Sequence, residues 1–202
     1  MQTNNRSTPL NPDRRMVLEV EKALAVLSEG GIILYPTDTI WGIGCDATRP
    51  DAVEKIFRLK ENRESNSMLI LLGQESFLTR YVQAVPDMAW QLLEVADKPM
   101  TIIYPGGKNV AENLLADDGS IGIRVVKNPF CEALLSRFRK PIVSTSANIH
   151  GSAAPASFAD IAPEILEGVD YTVDWHREVR NSGAPSSIIK IETNGSIKII
   201  RP

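Results

Sequence analysis

Gly30-Gly-Ile-Ile-Leu-Tyr-Pro-Thr-Asp-Thr-Ile-Trp-Gly-Ile-Gly-Cys-Asp-Ala47 is the stretch on which the fold turns. Its first half, Ile32 to Tyr35, is a short apolar run closed by Pro36, which reads as a buried strand. Directly after it come two hydroxyls, Thr37 and Thr39, the carboxylate of Asp38 and two glycines, Gly42 and Gly44. Strand ends are where α/β proteins position ligands. The same residues also suit a plain turn, in which Thr37 and Asp38 bond the backbone and the glycines permit positive φ. Both readings stand on the sequence alone.

Upstream, the pattern is helical from Met16. Met16, Val17, Val20, Leu24 and Leu27 fall on one face, and Gly30-Gly31 supplies the stop. Residues 1 to 12 are polar, with almost nothing to bury, and read as a mobile leader before a domain over 13–202.

Downstream, Asp46 to Lys60 reads as a loop and a second helix, with Thr48 as its N-cap and Pro50 in its first turn. Helical patterns recur at Met88 to Val95, Pro129 to Phe138 and Phe158 to Leu166. Strand patterns recur at Met68 to Leu72, Thr101 to Tyr104, Ile121 to Val126, Pro141 to Ser144, Ser187 to Ile191 and Ile197 to Ile200, the last two forming a hairpin around Asn194-Gly195. The interleaving lacks the even rhythm of a doubly wound series, so a mixed, twisted α/β (α+β) sheet with flanking helices is expected.

At 202 residues, 43% hydrophobic and 23% charged, the chain suits one domain with one substantial core. A net charge of −3 argues against a protein that coats nucleic acid non-specifically. Cys45 and Cys131 form no disulfide framework and no zinc-ligand pattern. The N-terminus has no signal-peptide core, and no run approaches the ~18 apolar residues of a membrane span, which points to the cytoplasm.

Two further segments bear chemistry. Lys60-Glu-Asn-Arg63 ends a helix beside Arg58; such cations either favour the helix C-terminus or bind phosphate. Pro141-Ile-Val-Ser-Thr-Ser-Ala-Asn148 runs a strand into three hydroxyls and an amide, which either receive a nucleotide's oxygens or satisfy a Ser/Thr-rich turn. No P-loop and no Gly-x-Gly-x-x-Gly is present, and neither His150 nor His176 is placed as a triad member.

GGIILYPTDTIWGIGCDA, the helix ending in LK, SMLILL, IGIRVV, PIVSTSAN and APSSIIK occur in the order seen in the YrdC/YciO family, and together span about residues 16 to 202. The chain resembles that family over nearly its whole length. The resemblance implies a single YrdC-like domain with a large concave basic cleft. In the family's best-understood branch it implies a threonylcarbamoyl-AMP synthase, a nucleotidyltransferase that uses L-threonine, bicarbonate or carbon dioxide, and ATP with Mg2+, and that serves tRNA modification.

Carried over by motif, Thr37, Thr39 and Ser186 would bind threonine, and Trp41 stands where the family often has Tyr. Lys60 and Arg63 would act on the phosphates. Arg124, Ser146 and Asn148 would complete the nucleotide site, with no protein metal ligands assigned. The family pattern is Lys-x-Arg, whereas here Asn62 stands at the Arg position and Arg63 follows, and Asn66 replaces a further basic residue. The implied partners include tRNA or double-stranded RNA and the downstream tRNA threonylcarbamoyl transferase machinery. The alternative is a YciO-like RNA- or nucleotide-binding paralogue with little synthase activity; carbamoyl-adenylate chemistry, as in hydrogenase maturation proteins, is a third reading.

Overall fold

The computed structural model describes residues 12–61, 68–179 and 184–202. The strands are β1 (Ile33–Tyr35), β2 (Gly42–Gly44), β3 (Leu69–Leu72), β4 (Met100–Tyr104), β5 (Ile121–Val125), β6 (Ile142–Ser146), β7 (Tyr171–Thr172), β8 (Ser187–Ile191) and β9 (Ile197–Arg201). The helices are α1 (Pro12–Ser28), α2 (Pro50–Leu59), α3 (Leu78–Tyr81), α4 (Asp87–Val95), α5 (Pro129–Phe138) and α6 (Pro163–Gly168). Among the described residues the strands form one mixed sheet in the order β7-β1-β2-β6-β3-β5-β4-β8-β9.

The leader expected over residues 1 to 12 lies outside the described residues except for Pro12, which opens α1. The helix therefore begins before Met16. Its buried stripe is Val20, Ala23 and Leu27, whereas Val17 sits at the stripe's rim and is 36% exposed. In α2 the buried residues Ala52, Val53, Ile56 and Phe57 recur at helical spacing. The residue at the N-cap of α2 is Arg49, whose side chain pairs with Asp51 and accepts no backbone N–H of the helix, and not Thr48. The N–H and hydroxyl of Thr48 both turn back to the Asp46 carboxylate, at 2.8 and 2.6 Å, so they have no reach left for the helix. The single helix expected over Phe158 to Leu166 is two pieces, a 3-10 turn at Phe158–Asp160 and α6. Pro163 forces the break by holding Ala162 extended, at ψ 141°.

The two faces of the sheet carry separate cores. Ile33, Tyr35, Leu71 and Ile142 pack with Val20, Leu27, Phe130 and Leu134 of α1 and α5. Their sequence neighbours Leu34, Ile70 and Val143 point the other way, into a cluster with Val53 and Ile56 of α2. A hairpin joins β8 and β9 as expected, with Gly195 at φ 83°.

The segment Gly42 to Gly44 is a strand, not the turn the glycines suggested, and neither glycine has positive φ. Gly44 is required by close approach instead. A Cβ there would stand 2.4 Å from the carbonyl oxygen of Val143 across the sheet, too near for any real contact.

Candidate functional site

Because α1 and α5 cover only part of their face, the rest of that face stays open. The pleat sends Ile102, Ile123 and Val143 to the opposite core, so Thr101, Gly122, Arg124 and Ser144 line the open side. The result is a cleft of about 250 Å³ bounded by the 37–40 loop, β4, β5, the end of β6 and the entry to β8. Its only charged wall residues among those described are Arg124 and Arg201, with no carboxylate in the lining.

The loop after β1 is organised by a directional chain of hydrogen bonds. The Thr37 hydroxyl donates to the carbonyl of Ile40 at 2.7 Å and accepts the backbone N–H of Thr39 at 3.1 Å. Thr39 Oγ1 lies 3.0 Å from Thr37 Oγ1 and accepts Nη1 of Arg124 at 3.0 Å. Since the Thr37 proton is committed to Ile40, Thr39 is the donor between the two hydroxyls. The turn reading of Thr37 thus holds, and the same geometry brings both threonines to the cleft wall.

Arg124 is 4% exposed and sits 3.2 Å from Oδ1 of Asp38. The pair is close enough for attraction yet misaligned for a hydrogen bond, and that carboxylate oxygen and Nε of Arg124 both lack a hydrogen-bond partner among the described residues. A buried guanidinium N–H left open at a cleft wall is a group poised for an anionic ligand. Arg201 lies beside it, its Nε donating to the carbonyl of Ser186 at 2.9 Å. Burial, then the nearby charge of Arg124, lowers the pKa of Arg201. Two guanidinium groups against the single carboxylate of Asp38 leave a net positive charge at the wall, which favours anions. Ser186 is buried, its hydroxyl 2.8 Å from that of Thr101.

Five residues anticipated from sequence, Thr37, Thr39, Arg124, Ser146 and Ser186, therefore meet at one cleft. Lys60 and Asn148 are not in its lining. The buried Lys60 ammonium donates to the carbonyls of Ser146 at 2.6 Å and Asn148 at 2.5 Å, and burial brings its pKa down to about 8. The Asn148 amide donates to the carbonyls of Ile149 and Ser152 within its own loop. Arg58 is on the surface, paired with Glu54. Arg63, Asn62 and Asn66 lie outside the described residues. Trp41 is fully buried against Phe158, their centroids 5.0 Å apart.

Arg201 and Thr101 complete the wall and were not singled out from the sequence, whereas Ser144 is the first of the three hydroxyls of the 141–148 segment. Arg201 stands at the end of a strand whose other residues are mostly exposed, so only its partner, the carbonyl of Ser186, reveals it.

The fold and cleft define a single-sheet α/β protein with a hydroxyl-rich, anion-receptive site. The family model described as "Telomere recombination" (Sua5/YciO/YrdC) matches residues 25–202, and the chain belongs to that family. It is 29% identical over 181 residues to the threonylcarbamoyl-AMP synthase of Pseudoalteromonas translucida, covering 88% of this chain and 95% of that one. It is 32% identical to the enzyme of that name from Hahella chejuensis, covering 75% and 83%. The crystal structure of E. coli YciO superposes with a TM-score of 0.79 at 26% identity, covering 92% of this chain and 89% of the other. P. abyssi Sua5 complexed with L-threonine shares the fold, with a TM-score of 0.81 at 22% identity; the alignment takes in 96% of this chain but 55% of that longer one. Among the described residues no helix is long and apolar enough to cross a membrane.

Proposed function

We propose that this chain is an L-threonylcarbamoyladenylate synthase, a nucleotidyltransferase that forms threonylcarbamoyl-AMP and pyrophosphate from L-threonine, bicarbonate or carbon dioxide, and ATP. The observation that carries this reading is the convergence of Thr37, Thr39, Ser186 and two arginines, Arg124 and Arg201, on one carboxylate-free cleft. Hydroxyls suit the threonine side chain and ammonium, and guanidinium forks suit carboxylate and phosphate oxygens. The relatives named for this activity support it.

In the reaction, the amine of threonine adds to carbon dioxide and loses a proton, giving a carbamate. A carbamate oxygen then attacks the α-phosphorus of ATP, and the bond to the β-phosphate oxygen breaks to release pyrophosphate. The protein supplies position and charge. Arg124 and Arg201 neutralise anionic oxygens, Thr39 is aimed by Arg124, and Lys60 holds the strand end that carries Ser146. Magnesium enters here with the nucleotide substrate. The product feeds the threonylcarbamoyl modification of tRNA.

Incubation with threonine, bicarbonate and magnesium-ATP, followed by mass detection of threonylcarbamoyl-AMP and of pyrophosphate, tests the reading. Absence of both products at saturating substrates overturns it. A second reading, a YciO-like nucleotide- or RNA-binding protein with little synthase activity, is favoured by the engagement of Lys60 with two backbone carbonyls, which keeps its charge behind the wall. Nucleotide binding without product formation selects that reading.

A further inference from the structure

At the opposite end of β3 lies a second cavity, of about 310 Å³, where the strand leaves the sheet and α5 ends. Its floor is the apolar side chains of Leu72 and Leu135, both buried. Its walls carry Phe77, Arg80, Glu132 and Arg139. None of these residues belongs to the first cleft.

Three features separate this cavity from an ordinary surface hollow. First, Arg139 is the C-cap of α5 and holds φ 57°, ψ 20°, the left-handed conformation that glycine or asparagine normally occupies at such a position. A long charged residue kept in that conformation is a departure from what folding alone prefers. Second, the guanidinium of Arg80 lies over the ring of Phe77, 4.7 Å from its centroid, a contact that favours one placement of this exposed side chain beside the cavity. Its backbone is anchored too, since Asn109 Nδ2 donates to the Arg80 carbonyl at 2.6 Å. Third, neither Arg80 nor Arg139 has a carboxylate partner among the described residues, whereas the adjacent Lys140 is already neutralised by Asp46 at 2.6 Å. With Lys140 neutralised, the charges lining the cavity are those of Arg80, Arg139 and Glu132, a net positive balance in a chain whose net charge is −3.

Two guanidinium forks facing one space suit a phosphate monoester. An apolar floor suits a flat ring lying on it, in a cavity within the ordinary size range of small-molecule sites. Glu132, opposite the arginines in charge, is an acceptor for ring N–H donors. We propose that this cavity is a second ligand site, separate from the first cleft, that binds a free purine nucleoside monophosphate, its phosphate on Arg80 and Arg139 and its base on the Leu72 and Leu135 floor.

The test is calorimetric titration of the full-length protein with guanosine 5′-monophosphate, beside inorganic phosphate alone. Arg139→Gly is the decisive variant, because glycine relieves the left-handed backbone. It is expected to leave the melting temperature unchanged or raise it while weakening nucleotide binding at least tenfold. Arg80→Ala is expected to weaken binding by a similar factor, and Arg201→Ala, in the first cleft, to leave it unchanged. Undiminished binding by Arg139→Gly overturns the proposal. So does loss of binding in Arg201→Ala, which would locate the nucleotide in the first cleft. Phosphate binding as tightly as the nucleotide reduces the cavity to an adventitious ion site and also overturns it, as does the absence of nucleotide binding at millimolar concentration.

Discussion

The ammonium of Lys60 stands 2.6 Å from the carbonyl oxygen of Ser146, and this contact ties the end of α2 to the end of β6. A cation buried without a carboxylate is disfavoured by desolvation, which brings its pKa from the ordinary 10.5 down to about 8. The neutral amine still has two N–H groups for its two carbonyl acceptors. Between about pH 8 and 10.5 the unfolded chain binds a proton that the folded chain has released, so this group's contribution to stability rises with pH across that window. Wild type and Lys60→Met should therefore diverge in urea unfolding from pH 7.5 to 9.5, with the gap widening by about 1–2 kcal/mol. Parallel pH profiles would show that Lys60 is not desolvated. At neutral pH the variant should already be weaker by about 1–3 kcal/mol, because two buried acceptors lose their donor.

Arg124 should separate charge from shape. Arg124→Ala leaves the carboxylate of Asp38, a side chain only 10% exposed, without its cation and is expected to destabilise by about 3–5 kcal/mol. Arg124→Lys keeps the charge but loses the fork that reaches both Asp38 and Thr39, so it should fold while losing at least about tenfold in pyrophosphate release, near 1.4 kcal/mol. Full activity of the lysine variant would reduce Arg124 to a structural ion pair.

For Arg201 the expectation is a binding defect without a folding defect. Arg201→Gln removes a cation already held close to Arg124, so the fold loses little and the ligand loses an anion contact. An increase of about tenfold or more in the KM for ATP, roughly 1.4 kcal/mol, with an unchanged melting temperature is the expected result. Steady-state kinetics beside thermal unfolding measure it, and an unaltered KM removes Arg201 from the nucleotide site.

Gly44 and Gly42 should behave differently although they are two residues apart in one strand. A methyl at Gly44 meets the Val143 backbone at 2.4 Å and the Tyr35 ring at 2.7 Å, so Gly44→Ala must push strands apart and is expected to destabilise by about 1–3 kcal/mol or more. A methyl at Gly42 meets the Ser144 hydroxyl at 3.3 Å on the cleft wall. Gly42→Ala should consequently lower ligand affinity more than stability. Thermal unfolding with and without ATP and threonine distinguishes the two.

The legible parts of this protein were those with strong local pattern. Strand β8 and helix α5 begin and end where their sequences place them, because period and flanking Pro or turn residues agree. Strand β2 was hidden because Gly-Ile-Gly has the look of a turn, and its need for glycine comes from Val143, a residue about a hundred positions away. Thr37, Thr39 and Arg124 were visible as a family pattern, yet the hydrogen-bond chain joining them is a product of the β1–β2 and β5 geometry. The attachment of Lys60 to Ser146 and Asn148 was not legible at all, since a helix-terminal lysine in sequence looks the same whether it faces solvent, phosphate or a backbone carbonyl. Arg201 escaped for a similar reason: its role depends on β9 pairing with β8 and thereby reaching Ser186.

The cleft wall draws on Thr37 near one end of the sequence and on Arg201 near the other. During synthesis on the ribosome, the 37–40 loop leaves the exit tunnel long before the β9 strand that must flank it. Helix α1 and its early strands can condense, but the anion field of the cleft has to wait for translation to pass residue 201, and β8 has no outer neighbour until then. A nascent chain stalled before that point would present a sticky sheet margin and no working site, which makes the arrival of β9 a kinetic checkpoint between collapse and competence.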